Sequence, residues 1–271
     1  MIRLLLVSLI GFLAVIDVAA AAEPRLDGNF TQGGLVFGKA NPGSQIMLDG
    51  KSVPQSIDGR FLIGFGRDAG KTAVLSMTGG DGQTVTRTLN IAPRKYKIQR
   101  IDGLPARKVT PKPEDVARIR KDNAGIGQVR LLDTRQAYFS SGFMWPVTGP
   151  VSGVFGSQRI LNGKPKNPHN GTDIAAAEGT VIVAPADGVV ALVHDDMFYT
   201  GETLMLDHGL GLTSVYAHMS AILVKQGELV KKGAPIGRVG KTGRVTGAHL
   251  HWGVTLGRTH LDPALLAGKM P

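Results

Sequence analysis

The sequence predicts a mainly β protein: two β-rich parts joined by a short helical connector. Three observations carry this. Apolar side chains alternate in short runs through residues 23–92, and β-type runs return from Pro146 onward. Glycine is abundant, 37 of 271 residues, which favours turn-rich β structure over helical bundles. Between the two β-rich parts, "PEDVARIRKDNAGIGQVRLLDTRQ" reads as helix. With 42% hydrophobic residues the composition is globular, and the length suits one large or two smaller domains, each with its own core.

Residues 1–22 read as a signal peptide. Arg3 supplies a positive start, Leu4 to Ile16 form an apolar run of signal length, and Ala20-Ala21-Ala22 before Glu23 is an A-x-A cleavage site. As a membrane anchor the run is short, and Asp17 interrupts it. The expectation is export to the periplasm or cell envelope. The chain has no cysteine, hence no disulfide framework, and stability there rests on packing.

Residues 23–92 predict a small β module. "QIMLDG", "GRFLIGFG", "TAVLSM" and "QTVTRTLNIA" alternate apolar positions: Ile46 and Leu48; Phe61, Ile63 and Phe65; Val85, Leu89 and Ile91. Asp49-Gly50, Asp58-Gly59 and Asp81-Gly82 are turn signals between them. Regular short strands of this kind suggest a sandwich, and "PGSQIMLDGKSVPQSIDGRF" resembles bacterial immunoglobulin-like modules. Residues 93–142 predict a basic helical connector, with Pro113, Glu114 and Asp115 opening the helix and Gly125 and Gly127 expected to break it. From Pro93 to Trp145 there are 12 Lys/Arg against 5 Asp/Glu, most of the net +10 charge. Two readings stand side by side: a solvated linker helix, or attraction to an anionic polymer. Export and the lack of interleaved aromatics exclude nucleic acid.

All seven histidines lie after residue 145: His169, His194, His208, His218, His249, His251 and His260. In a strand, side chains at i and i+2 share a face, so His249 and His251 of "GAHLHWGV" project together, with Leu250 and Trp252 packing opposite. In "PHNGTDIAA" His169 and Asp173 are four apart. These two with one of the HLH pair make three ligands, the number catalytic zinc takes from protein while leaving a position for water. "SVYAHMS" places Tyr216 and His218 two apart, with packing an equal account of Tyr216. His208 reads as a turn residue, and His194 and His260 as surface. "TGRVTG" is a loop into the HLH strand, either a tight turn or a groove wall.

HxxxD, then YxH, then HLH, in that order in glycine-rich β sequence, resembles the lysostaphin/LytM family of peptidoglycan-cleaving zinc endopeptidases. The resemblance runs from about Phe143 to Leu266 and includes "WPVTGPVSGVFGSQRILNGKPKNPHNGTDIAA", "DHGLGLTSVYAHM", "VKKGAPIGRVGKTGRVTGAHLHWGV" and "LDPALL". It implies that residues 143–271 are a metallopeptidase domain with an antiparallel, barrel-like β-sheet. It implies one zinc held by His169, Asp173 and His251, with His249 and His218 as the catalytic pair acting on a zinc-activated water. It implies peptidoglycan as partner, and "NGKPKNPHNGTD" with "YAHM" is similar to Gram-negative members that cut D-alanyl–diaminopimelate cross-links. Some relatives are degenerate at these positions and activate other murein hydrolases; here all five residues are present. "GTVIVAPADGVVALV" also resembles the hairpins of biotinyl and lipoyl carriers, but no lysine stands at a hairpin tip. The connector before the catalytic part leaves room for an autoinhibited, wall-associated regulator. It equally leaves room for contact of the β module and connector with a regulatory protein or with the catalytic part itself. The sequence carries no signal of oligomeric state.

Overall fold

The computed structural model describes residues 23–271, so the signal-peptide reading of residues 1–22 lies outside it. The predicted β module forms two antiparallel sheets. Arg25–Gly28, Leu35–Lys39 and Arg60–Gly64 make one, and Lys51–Ser52, Gln45–Leu48, Thr72–Thr78 and Thr84–Asn90 the other. The predicted alternation does the burying: Ile46, Phe61, Ile63, Phe65, Leu89 and Ile91 join Val36, Leu75 and Met77 in one core. Asp49 and Gly50, at φ 48° and 75°, form the two-residue turn between Gln45–Leu48 and Lys51–Ser52. Two successive positive φ values are what such a hairpin turn requires.

The connector is not helix throughout. Ile98–Ile101 is a strand that runs parallel to Gln158–Leu161. The helix Pro113–Val129 is continuous through Gly125 and Gly127, which were expected to break it. Tertiary anchoring outweighs the glycines' poor helix propensity. Asp122 Oδ2 accepts from the Phe198 N–H at 2.7 Å, Arg118 pairs with Asp196 at 2.7 Å, and the Lys108 ammonium lies 4.2 Å from the Phe198 ring centre. Asp115 receives the Lys112 N–H and the Arg107 guanidinium, closing the helix start. The helix is therefore docked along the C-terminal half rather than solvated on all sides.

The C-terminal half is one ten-stranded sheet. Its main path runs Leu229–Val230, Gly188–Met197, Gly201–Gly209, Leu212–Ile222, His249–Leu256, Gly171–Ala175, Val151–Gly153, with antiparallel pairings. Val181–Val183, Pro235–Val239 and Thr259–Leu261 branch from it. One face buries Ile174, Leu204, Leu206, Tyr216, Leu250 and Trp252. Leu35 and Leu62 of the β module belong to this same core, and Phe37 packs on Phe139 with ring centres 5.9 Å apart. Arg94 pairs with buried Asp262 at 2.8 Å, and the Asp262 N–H donates to the Gly33 carbonyl at 2.7 Å. Among the described residues no helix is long and apolar enough to cross a membrane.

Candidate metal centre and active site

Three neighbouring strands build the site. In the register of Gly171–Ala175 against His249–Leu256, Asp173 stands opposite His251. On its other side Asp173 stands opposite Gly153. A Cβ at Gly153 would run into the Asp173 carboxylate, so the missing side chain makes the space. Gly171 does the same for the His251 ring, whose Cε1 would lie 2.9 Å from an added Cβ. Leu250 and Trp252 face the core as expected, Trp252 edge-on to Trp145 at 5.7 Å. His249 and His251 share the opposite face.

The five predicted residues converge. His169 Nε2 lies 3.0 Å from Asp173 Oδ1, His251 Nδ1 lies 2.7 Å from the same oxygen, and the two ring nitrogens are 3.0 Å apart. His249 Nε2 is 3.9 Å from Asp173 Oδ1. The His218 ring centre lies 4.8 Å from that of His249 and 6.1 Å from that of His251. His218 sits where the Leu212–Ile222 strand slips register against Gly201–Gly209, at φ 66°. A non-glycine residue in the left-handed region is uncommon and clusters at functional sites. This irregularity breaks the i, i+2 alternation. Tyr216 therefore does not accompany His218: it is fully buried and hydrogen-bonds Ser214 Oγ at 2.7 Å.

Backbone carbonyls set the imidazole tautomers. His218 Nδ1 donates to Thr242 O at 2.8 Å, His249 Nδ1 to Gly247 O at 2.9 Å, and His169 Nδ1 to Val154 O at 3.3 Å. Each neutral ring then carries its lone pair on Nε2. Burial pushes His169 down to about 4, against the pull of Asp173, and pushes His218 well below the ordinary imidazole range, with His249 and His251 adding repulsion. Burial alone would raise the Asp173 carboxyl, but its close contacts with the His169 and His251 rings hold it well below the usual carboxylate range. A neutral imidazole and an ionised carboxylate are the protonation states that ligate metal. One proton on one ring can serve only part of this three-way approach of acceptor atoms; a cation serves all of it, and the donor set fits zinc.

Sequence reasoning missed the surroundings. A groove of about 750 Å³ opens beside the donor set, lined in part by Arg130, Arg159, Tyr199 and Arg244. Arg159 Nη2 lies 2.6 Å from Asp173 Oδ2, holding the carboxylate that the histidines share. Arg244 belongs to "TGRVTG", so that loop is a groove wall. No spacing rule marks these residues, since their partners are remote in sequence. His208 is not a turn residue but is fully buried within Gly201–Gly209. His260, expected at the surface, lines the groove.

A buried carboxylate with two ligand-competent imidazoles, flanked by two more, is the donor chemistry of a metallopeptidase centre. The family model for Peptidase family M23 matches residues 167–263. The peptidoglycan DD-endopeptidase ShyA of Vibrio cholerae is 46% identical over 85 residues, 31% of this chain and 20% of ShyA. A crystal structure from Pseudomonas aeruginosa assigned to peptidase M23 is similar at a TM-score of 0.67 and 28% identity, over 89% of this chain and 96% of that one. The catalytic domain of the prophage-encoded M23 protein EnpA from Enterococcus faecalis is 30% identical, covering 46% of this chain and 92% of that one, with a TM-score of 0.36. Residues 167–263 are thus a domain of peptidase family M23, a family of metallopeptidases. The chain spans 29% and 20% of the length of the first two curated relatives it matches.

Proposed function

We propose that this chain is an exported, zinc-dependent peptidoglycan endopeptidase of the periplasm or cell envelope. Its reaction is hydrolysis of an amide in wall peptide cross-links, with the D-alanyl–diaminopimelate bond as the target. The observation that carries the reading is the convergence of His169 Nε2, Asp173 Oδ1 and His251 Nδ1 with two further imidazoles alongside. The named function of ShyA supports the substrate class.

In this reading His169, Asp173 and His251 hold one zinc. When bound, zinc supplies Lewis-acid polarisation and lowers the pKa of a water toward about 7. The chain's own residues do the rest. Arg159 fixes the Asp173 carboxylate, and the Val154 carbonyl fixes the His169 ring, as outer partners of metal ligands do. His249 presents a bare Nε2 toward the donor set and takes the proton of the attacking water, returning it to the leaving amine. His218, also bare at Nε2, accepts from the water and orients it. With its Nδ1 proton committed to Thr242, His218 donates to a developing oxyanion only after gaining a second proton. The complete set of five residues runs against a purely non-catalytic regulator.

The test is digestion of purified wall sacculi by the mature protein, with and without a zinc chelator, beside His249→Ala, reading released muropeptides by mass spectrometry. Chelator-sensitive loss of cross-linked dimers is expected, with the variant slower by about 10²–10⁴-fold. Wild-type cleavage that survives chelation, or a folded zinc-loaded protein that releases nothing, overturns the reading.

A further inference from the structure

The groove beside the donor set carries more positive charge than its own residues neutralise. Arg130, Arg159, Lys166 and Arg244 line it together with His218 and His251, and no Asp or Glu is among its lining residues. Arg159 is spent on Asp173. Arg130 and Arg244 form no ion pair among the described residues, and their side chains find no hydrogen-bond partner there. The Arg130 Nε is buried without one. Burial lowers the pKa of both guanidiniums, and Arg159 repels Arg244. A guanidinium does not shed its proton in a protein, so these partly buried, unpaired cations call for an anion from outside.

The geometry says which anion. The Arg244 guanidinium lies over the Tyr199 ring, 4.6 Å from its centre. Such stacking fixes the guanidinium plane and leaves its N–H edge free for a planar, two-oxygen partner. A carboxylate matches that fork. The same groove contains His218 of the candidate catalytic pair and the candidate metal ligand His251, so whatever occupies it also presents a bond to the site. An anionic polymer without a peptide bond has nothing to offer there. An acidic peptide does.

We propose that Arg130 and Arg244 form a carboxylate subsite that reads the free carboxylates flanking the amide to be cut. This rests on the endopeptidase reading above and narrows it: the substrate is an acidic wall peptide, and neutral oligoglycine bridges or amidated stems are poor ones. Arg130 caps the C-terminal end of the connector helix Pro113–Val129, so the connector supplies a substrate contact as well as a tether.

The test uses the full chain carrying His249→Ala, so that the ligand stays uncut, and a synthetic cross-linked peptide containing the D-alanyl–diaminopimelate amide. The peptide is made in free-acid and carboxamide forms, and affinities are read by titration calorimetry. The acid form is expected to bind at least about tenfold tighter. Arg130→Gln with Arg244→Gln is expected to shrink that preference to less than about threefold, and Arg244→Lys to restore part of it. Equal affinity for both forms, a preference that survives in folded variants, or binding of neither form overturns the subsite. The two readings fail separately. Equal cleavage of both forms by the unmutated chain sinks the subsite and leaves the endopeptidase. Arginine-dependent binding of the acid form with no cleavage by the unmutated, zinc-loaded chain leaves the subsite and sinks the endopeptidase.

Discussion

His208 has no exposed surface, and both of its ring nitrogens are engaged. Nδ1 meets the Asp187 carbonyl at 2.7 Å, and Nε2 meets Ser214 Oγ at 2.7 Å, which in turn meets Tyr216 Oη at 2.7 Å. Burial lowers its pKa below 6.5, against the opposing pull of the Asp187 carbonyl and the charges of Asp207 and Asp187. The unfolded chain, whose histidine titrates near 6.5, therefore takes up this proton before the folded protein does. Below that pH the unfolded state binds more protons, and stability falls as the solution is acidified. His169, His218 and His260 are lowered in the same direction and add to the loss. His208→Gln, which hydrogen-bonds but does not titrate, is expected to lose less stability than wild type between pH 7.5 and 5.5 by urea unfolding. His208→Ala is expected to cost about 2–4 kcal/mol at neutral pH, through the cavity and the partners left behind, the Asp187 carbonyl and the Ser214 hydroxyl. An unchanged pH slope in His208→Gln removes His208 from the account. Sequence showed only half of this residue. The turn it signals is there, Leu210 and Gly211 at φ 51° and 77°, but His208 stands in the strand before it. Its partner Asp187 lies 21 positions away, where no local pattern points.

At the scale of elements, what was legible follows the strand period. Two-residue periodicity put His249 and His251 on one face and Leu250 and Trp252 on the other, and the structure agrees. Register was not legible: nothing in "SGVFG" says that Gly153 will stand opposite Asp173. The structure makes that glycine a requirement. Gly153→Ala forces a methyl against the Asp173 carboxylate, so affinity for the zinc proposed above is expected to fall by about 10–100-fold, the range seen when partners of metal ligands are disturbed. Competition with a zinc-sensitive chelator dye measures it, and unchanged affinity means the strand yields freely. The connector helix teaches the opposite lesson about glycine. Gly125 and Gly127 signalled a break, and docking through Asp122 and Arg118 overrode them. A Cβ at Gly127 would meet nothing within 4 Å, so Gly127→Ala is expected to stabilise the chain by about 0.5–1 kcal/mol in thermal unfolding.

For the molecule as a whole, composition divides the chain at residues 92 and 142, but composition is blind to packing across those points. Leu35 and Leu62 of the β module are buried in the core of the C-terminal sheet. Asn29 Nδ2 donates to the Leu265 carbonyl at 3.0 Å, Arg67 Nε to the Gly156 carbonyl at 2.6 Å, and Arg94 reaches Asp262, whose side chain is only 3% exposed. Apolar burial and buried charge pairing across one boundary are what couple two parts into one folding unit, whereas tethered modules share neither. Both tryptophans, Trp145 and Trp252, lie in the C-terminal half, so their fluorescence reports that half alone. Leu75 lies in the β module's own core, apart from the shared one. Leu75→Ala is expected to destabilise the protein by about 2–5 kcal/mol. If the two halves unfold together, the tryptophan transition in urea shifts by the same amount as the far-ultraviolet circular dichroism. If the β module is an independent bead, the tryptophan transition stays in place while the dichroism splits into two steps, and the shared core seen here contributes nothing to cooperativity.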